Sequence, residues 1–203
     1  LLEIVSEPDL RNGEEAYAYL TEIRQLVRYL GISDGNMEEG SLRCDVNISV
    51  RPVGREAFGT KVEVKNLNSF RHVQKAIDFE FQRQVAAVEA GEVIYQETRT
   101  FDAGKGSTSV LRIKEDANDY RYFTEPDLAP VRLTPEWIEG LRGTLPELPR
   151  ARKARYQNAL GLSEYDAQLL TDDQATAAFF DALCGAGAPP KTAANWITGP
   201  VAG

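Results

Sequence analysis

Ser41-Leu42-Arg43-Cys44-Asp45-Val46-Asn47-Ile48-Ser49-Val50-Arg51-Pro52 alternates without a break. Leu42, Cys44, Val46, Ile48 and Val50 fall on one side, with Ser41, Arg43, Asp45, Asn47, Ser49 and Arg51 on the other. A period of two sustained this long predicts a strand of an antiparallel sheet, one face on a core and the other toward water. Thr60 to Lys65 repeats the pattern, with Val62 and Val64 inward and Lys61, Glu63 and Lys65 outward. Pro52, Gly54 and Gly59 mark the loop between them. If the two strands pair, their polar rows share a face.

The flanking segments supply helices. Asn12 with Glu15 three residues later is a capping-box pattern, and Ala16, Leu20, Ile23, Val27 and Leu30 follow at helical spacing up to Gly31. After Lys65 the chain runs straight into a second helix. Asn68 or Ser69 caps it, Phe70, Val73, Ile77, Phe81, Val85 and Val88 form its stripe, and Gly91 ends it. Leu1 to Val5 reads as a strand end broken by Pro8. Val93 to Phe101 and Ser107 to Lys114 read as a hairpin across Asp102 to Gly106, and Tyr120 to Thr124 as a further short strand. The order predicts an α+β domain, an antiparallel sheet with helices on one face.

The composition changes at Thr134, where Thr134-Pro135-Glu136-Trp137 is an N-cap with proline at the first helical position. Helical segments follow at Ala151 to Leu160, Ser163 to Leu170, Asp172 to Leu183 and Pro190 to Thr198, the last ending at Gly199-Pro200. The expected division is therefore 1–133, α+β, and 134–203, a small all-helical domain.

The 203 residues carry a net charge of -8. So acidic a chain is not expected to grip nucleic acid over a broad surface, since phosphate binding needs clustered Lys and Arg. Cys44 and Cys184 form no CxxC pair, which points away from zinc or a disulfide framework and toward a reducing cytoplasm. No apolar run approaches the roughly 20 residues of a membrane span. The first residue is Leu1, not Met, and both ends read as cut.

Chemistry is expected on the polar sheet face. Arg43, Asp45 and Asn47 lie side by side in projection, as do Lys61, Glu63 and Lys65, with Glu38 and Glu39 just before. Such a face can hold carboxylates for a hard cation and Lys or Arg for phosphate oxygens, or can simply be solvated. The Lys65-Asn66-Leu67-Asn68-Ser69-Phe70-Arg71 junction aims polar groups and a helix N-terminus at the end of the sheet. Gly104-Lys105-Gly106-Ser107-Thr108 is not a Walker loop, because Arg99 stands where the first glycine belongs and Gly106 follows the lysine; it reads as a hairpin turn. His72 is the sole histidine, so paired-histidine chemistry has no basis in this chain. Cys44 falls on the apolar side and reads as core. Tyr120-Arg121-Tyr122-Phe123 could stack on a base or fill a rim.

Five stretches, LLEIVSEPDL (1–10), MEEGSLRCDVNIS (37–49), GTKVEVKNLNSF (59–70), QETRTFD (96–102) and DYRYFTEPD (119–127), resemble the GatB/GatE family in order and spacing. Pro146 to Tyr156 and Ala194 to Thr198 resemble the start of that family's helical domain, so the resemblance spans the chain. It implies a cradle domain similar to the glutamine synthetase and guanido kinase catalytic fold, with 1–133 as its C-terminal part and 134–203 as the start of the helical domain. Leu133 runs directly into the Thr134 helix without the inserted domain of GatE, which favours the GatB branch.

The implied activity is ATP- and Mg²⁺-dependent phosphorylation of Glu on tRNA-Gln or Asp on tRNA-Asn, followed by amidation with ammonia. The implied partners are GatA, which releases ammonia from glutamine, GatC, and the tRNA. Combining that chemistry with the polar sheet face, Glu63 is the first choice as metal ligand, with Glu39 and Asp45 as further choices. Arg43, Lys65 and Arg71 are the phosphate-handling candidates, and Asn66 and Ser69 those for the nucleotide or aminoacyl end. The resemblance also implies further metal ligands outside this chain, so the chain alone is expected not to amidate Glu-tRNA. Competing readings are a scaffold for GatA, GatC or tRNA, and an unrelated kinase of a small substrate.

Overall fold

The computed structural model describes residues 2–113 and 126–201. The chain divides into two compact units, Leu1–Ile23 with Asn36–Tyr120, and Arg24–Gly35 with Arg121–Gly203.

The first unit holds helix α1 (Gly13–Tyr29) through Ile23, helix α2 (Phe70–Glu89) and one four-stranded sheet. The strands are β1 (Val46–Ile48), β2 (Val62–Lys65), β3 (Glu97–Asp102) and β4 (Ser107–Ile113), in that spatial order. β1 and β2 are antiparallel, as are β3 and β4, but β2 and β3 run parallel. The sheet is mixed, which corrects the antiparallel expectation. The reason is α2: it carries the chain back along the sheet between β2 and β3, as a parallel pair requires.

Ala16 and Leu20 of α1, Val73 and Ala76 of α2, and Val46, Val64, Leu67 and Phe101 form one apolar core, so both helices lie on one sheet face as expected. Cys44 packs against that core, and burial pushes its thiol up to about 11, with help from the Asp45 charge. It is a packing residue. α1 begins where Asn12 Oδ1 accepts from the Glu15 amide at 2.8 Å. Gly13 lies hard against α2: a Cβ there would meet the Gln74 carbonyl oxygen at 2.8 Å.

The strand read from 41 to 52 shrinks to Val46–Ile48, because β2 offers partners only to those three residues. Residues 2–7 form no strand, and Leu2 and Val5 stand open to solvent. No described segment pairs with them. The α2 stripe is also rotated from the one expected: Val73, Ala76, Glu80 and Gln84 are buried, while Phe81 and Val88 are exposed. The hairpin is present, its turn tied by the Gly106 amide on the Asp102 carbonyl at 2.8 Å, with Gly106 at φ 63°. The expected strand from Tyr120 to Thr124 lies outside the described residues.

The second unit is helical where described: α3 (Pro135–Thr144), α4 (Pro149–Asn158), α5 (Glu164–Leu170), α6 (Gln174–Gly185), α7 (Pro190–Trp196) and a π turn over Ile197–Val201. Thr134, Ser163 and Asp173 cap α3, α5 and α6 with their side chains. The chain continues through Gly199-Pro200 in the π turn rather than stopping there. Tyr156, Leu162, Ala167, Leu170, Phe180, Ala193, Ala194 and Ile197 make a separate core. Arg155 binds Glu147 at 2.7 Å and Asp181 at 2.9 Å beside it. Among the described residues no helix is long and apolar enough to cross a membrane.

Candidate functional site on the open sheet face

The sheet face turned away from α1 and α2 is polar. Its register lines residues up across all four strands. Asn47 stands opposite Glu63, Glu63 opposite Thr98, and Thr98 opposite Arg112. One step along, Lys65 stands opposite Thr100 and Thr100 opposite Ser109. Residues directly opposite across a ladder project to the same face, so two rows of polar side chains run across the sheet.

Asp45, Glu63 and Lys65 meet on this face. Lys65 Nζ lies 2.6 Å from Asp45 Oδ2 and 3.3 Å from Glu63 Oε1. Thr98 Oγ1 donates to Glu63 Oε2 at 2.8 Å. Both Glu63 oxygens are therefore engaged, one by an ammonium and one by a hydroxyl. The hydrogen bond to Asp45 is the main reason the Lys65 ammonium holds its proton above its ordinary value. Two carboxylates thus meet one ammonium. The cluster is only partly withdrawn from solvent, with side-chain exposures of 37% for Lys65, 50% for Asp45 and 18% for Glu63.

Asn66 follows β2 with φ 66°, a left-handed conformation uncommon for a residue with a side chain. Its Nδ2 donates to the Phe101 carbonyl of β3 at 3.1 Å, which ties the strand-to-helix junction to the sheet and leaves Oδ1 as an acceptor. Ser69 is the α2 N-cap: its Oγ accepts from the His72 amide at 3.1 Å, leaving the hydroxyl proton to donate.

The remaining candidates stand apart. Glu39 is exposed in the turn before β1, Arg43 is exposed in the extended lead into β1, and Arg71 is exposed on the first turn of α2. Their side chains make no hydrogen bond or ion pair with another described residue, and no contact joins them to the Asp45–Lys65–Glu63 cluster. Among the described residues no three acidic, cysteine or histidine side chains form a metal-holding group. What the face offers a cation is Asp45 and Glu63, an all-oxygen pair now arranged about an ammonium. That donor set suits a hard divalent ion that takes one or two protein carboxylates and fills its other positions with water and phosphate oxygens.

Sequence reading passed over Thr98 and Arg112. The signal for Thr98 lay in Thr98-Arg99-Thr100, where two hydroxyls alternate with a cation, but the face they share with Glu63 follows only from the parallel β2–β3 register. It also passed over the ion cluster beneath the sheet. There Glu80 of α2, fully buried, takes Arg83 at 2.8 Å and Arg99 at 3.0 Å. Thr108 Oγ1 donates to Glu80 as well, and Arg99 also binds Glu97 at 2.6 Å. Burial alone would raise the Glu80 pKa; hydrogen bonds from Arg83 and Thr108 outweigh it and hold the carboxyl below its ordinary value.

The GatB/GatE catalytic domain profile matches residues 1–139. The chain is 59% identical over 202 residues to the B-subunit of the aspartyl/glutamyl-tRNA(Asn/Gln) amidotransferase of Nostoc punctiforme, covering 100% of this chain and 41% of that protein. It is 59% identical to the protein of the same name from Synechocystis, also over 100% of this chain and 41% of that protein. The Picosynechococcus protein of that name is 58% identical with the same coverage, 100% and 41%. The chain thus spans about two fifths of the length of the curated relatives it matches. A profile match over most of the chain, and alignment of the whole chain with these relatives, place it in the GatB/GatE family.

Proposed function

We propose that the open sheet face is part of the site at which an aminoacyl-tRNA amidotransferase activates the side-chain carboxylate of Glu on tRNA-Gln, or of Asp on tRNA-Asn, with ATP and Mg²⁺. The observation that carries this reading is the Asp45–Lys65–Glu63 cluster, which lies within the residues matched by the catalytic-domain profile. The reaction balances in two steps. A carboxylate oxygen of the aminoacyl side chain attacks the γ-phosphorus and ADP departs. Ammonia then attacks the acyl carbon, loses a proton and displaces phosphate, leaving the amide.

Little covalent work falls to the protein in phosphoryl transfer; positioning and charge compensation carry it. Mg²⁺, when bound, neutralises charge on the phosphate oxygens. Glu63 and Asp45 would hold it, with Glu39 available from its exposed turn. Lys65, whose ammonium lies between the two carboxylates, would supply a cation for a phosphate oxygen. Arg43 and Arg71 are uncommitted cations on the segments flanking this face. Asn66 Oδ1 and the Ser69 hydroxyl remain available for the nucleotide or the aminoacyl end. A water-poor site is needed, because acyl phosphates hydrolyse. GatA and GatC are the proposed partners, with ammonia delivered from GatA, in the cytoplasm.

Substitution in the full-length protein, assembled with its partners, tests this reading. Glu63→Ala is expected to abolish ATP-dependent amidation while glutaminase turnover persists. Amidation that survives would favour a scaffold role for this domain.

A further inference from the structure

β4 does not pair evenly with β3. Arg99 stands opposite Val110 and Thr98 opposite Arg112, so Leu111 is the extra residue of a β-bulge. With an unbroken ladder, Leu111 would stand opposite Thr98 and face the polar side, and Arg112 would face α2 beside Glu97. The bulge reverses this and puts Arg112 on the same face as Thr98 and Glu63. Bulges recur beside functional sites because they re-aim one side chain in this way.

Charge on the face gives Arg112 a use. Lys65 is already bound by Asp45 and Glu63 at 2.6 and 3.3 Å. Arg112 is exposed and makes no hydrogen bond or ion pair with another described residue. It therefore stands across the short Thr98 side chain from the acidic cluster, two strand spacings from Glu63, or about 10 Å between backbones. A cation-binding carboxylate pair at one end of a row and an uncommitted guanidinium at the other is an arrangement for a metal-bound polyphosphate. A guanidinium binds two phosphate oxygens at once in its plane, which an ammonium does not.

We infer that Arg112, placed by the β4 bulge, is a phosphate-binding residue of the open-face site and contacts the polyphosphate of the nucleotide. This rests on the reading of that face as the nucleotide and metal site, and extends it to a fourth strand.

The test uses the full-length protein in its assembled complex, with ammonia supplied directly. Arg112→Ala is expected to raise KM for ATP by about 10-fold or more, as loss of hydrogen bonds to a charged group predicts. The Mg²⁺ concentration for half-maximal activity and the glutaminase rate should stay unchanged. Arg112→Lys should recover only part of the loss, because it restores the charge but not the paired donors. If Arg112→Ala does not assemble, Arg112→Gln is read in its place by the same criteria. A KM for ATP within about twofold of the unsubstituted complex overturns the inference, since hydrogen bonds to a charged group typically contribute more than that. A KM rise that Lys reverses completely also overturns it, in favour of a diffuse charge effect. Glu63→Ala run alongside separates the two readings. If it changes amidation while Arg112→Ala does not, only Arg112 is wrongly placed; if neither does, the site itself is elsewhere.

Discussion

The two faces of the sheet each carry a charged cluster, and they are built to opposite specifications. Beneath the sheet, Glu80 is wholly buried and meets Arg83, Arg99 and Thr108, while Glu97 adds a second carboxylate to Arg99. Each of these charges is matched within the protein. On the open face, Asp45, Glu63 and Lys65 are part-exposed. The same residue types therefore fasten an element in one place and, in the function proposed above, receive a cation in the other. Burial tells them apart, not composition.

The largest expected effect that would sharpen this contrast is on stability. Glu80→Ala leaves Arg83 and Arg99 with Glu97 alone and should destabilise the protein by about 3–5 kcal/mol, as breaking one side of a buried ion cluster does. Asp45→Ala on the open face should cost within about 1 kcal/mol. Urea unfolding of the two variants measures both. Equal losses would mean that burial does not set the two clusters apart.

A smaller effect is expected at Gly13, where an added Cβ would meet the Gln74 carbonyl oxygen at 2.8 Å. Gly13→Ala should cost about 1–3 kcal/mol through overpacking of α1 on α2, read from the same unfolding curves. Ser69→Ala removes the α2 cap and should cost about 1 kcal/mol.

Acid provides a further separation of the faces. The Glu80 carboxyl is held below its ordinary value of 4.5 in the folded protein. A depressed folded pKa means its contribution to stability is complete above the unfolded value and is lost as pH falls through the folded one. Stability of the first unit should therefore fall with acid below about 4.5, and Glu80→Gln should flatten that slope. A slope unchanged by Glu80→Gln would mean that other carboxylates govern acid unfolding.

The sequence made some of this legible and hid the rest for definable reasons. Alternation in 41–52 and 60–65 reported a polar and an apolar side, and β1 and β2 do share their polar face. Alternation says nothing of how many residues find partners, which is why β1 is only Val46–Ile48. Nor does it report strand direction, so the parallel β2–β3 pairing, and Thr98 beside Glu63 with it, could not be read. On α2, apolar spacing pointed to Phe81 and Val88, whereas Glu80 and Gln84 are buried. A charged residue on a core face becomes legible only once its partners, Arg99 and Thr108 on distant strands, are known. Caps fared better, because an N-cap is a local device: Ser69, Thr134 and Ser163 each accept the expected backbone amide. Of the candidate site residues, Asp45, Glu63 and Lys65 come together, while Glu39, Arg43 and Arg71 remain on separate exposed segments.

In the proposed function the open face, not the buried one, receives the metal and nucleotide. Crystals of the full-length protein soaked with Mg²⁺ and a non-hydrolysable ATP analogue test it most directly. Metal density is expected beside Glu63 and Asp45, with Lys65 turned away from between them. Metal and nucleotide bound elsewhere, with the Lys65 bridge intact, would contradict it.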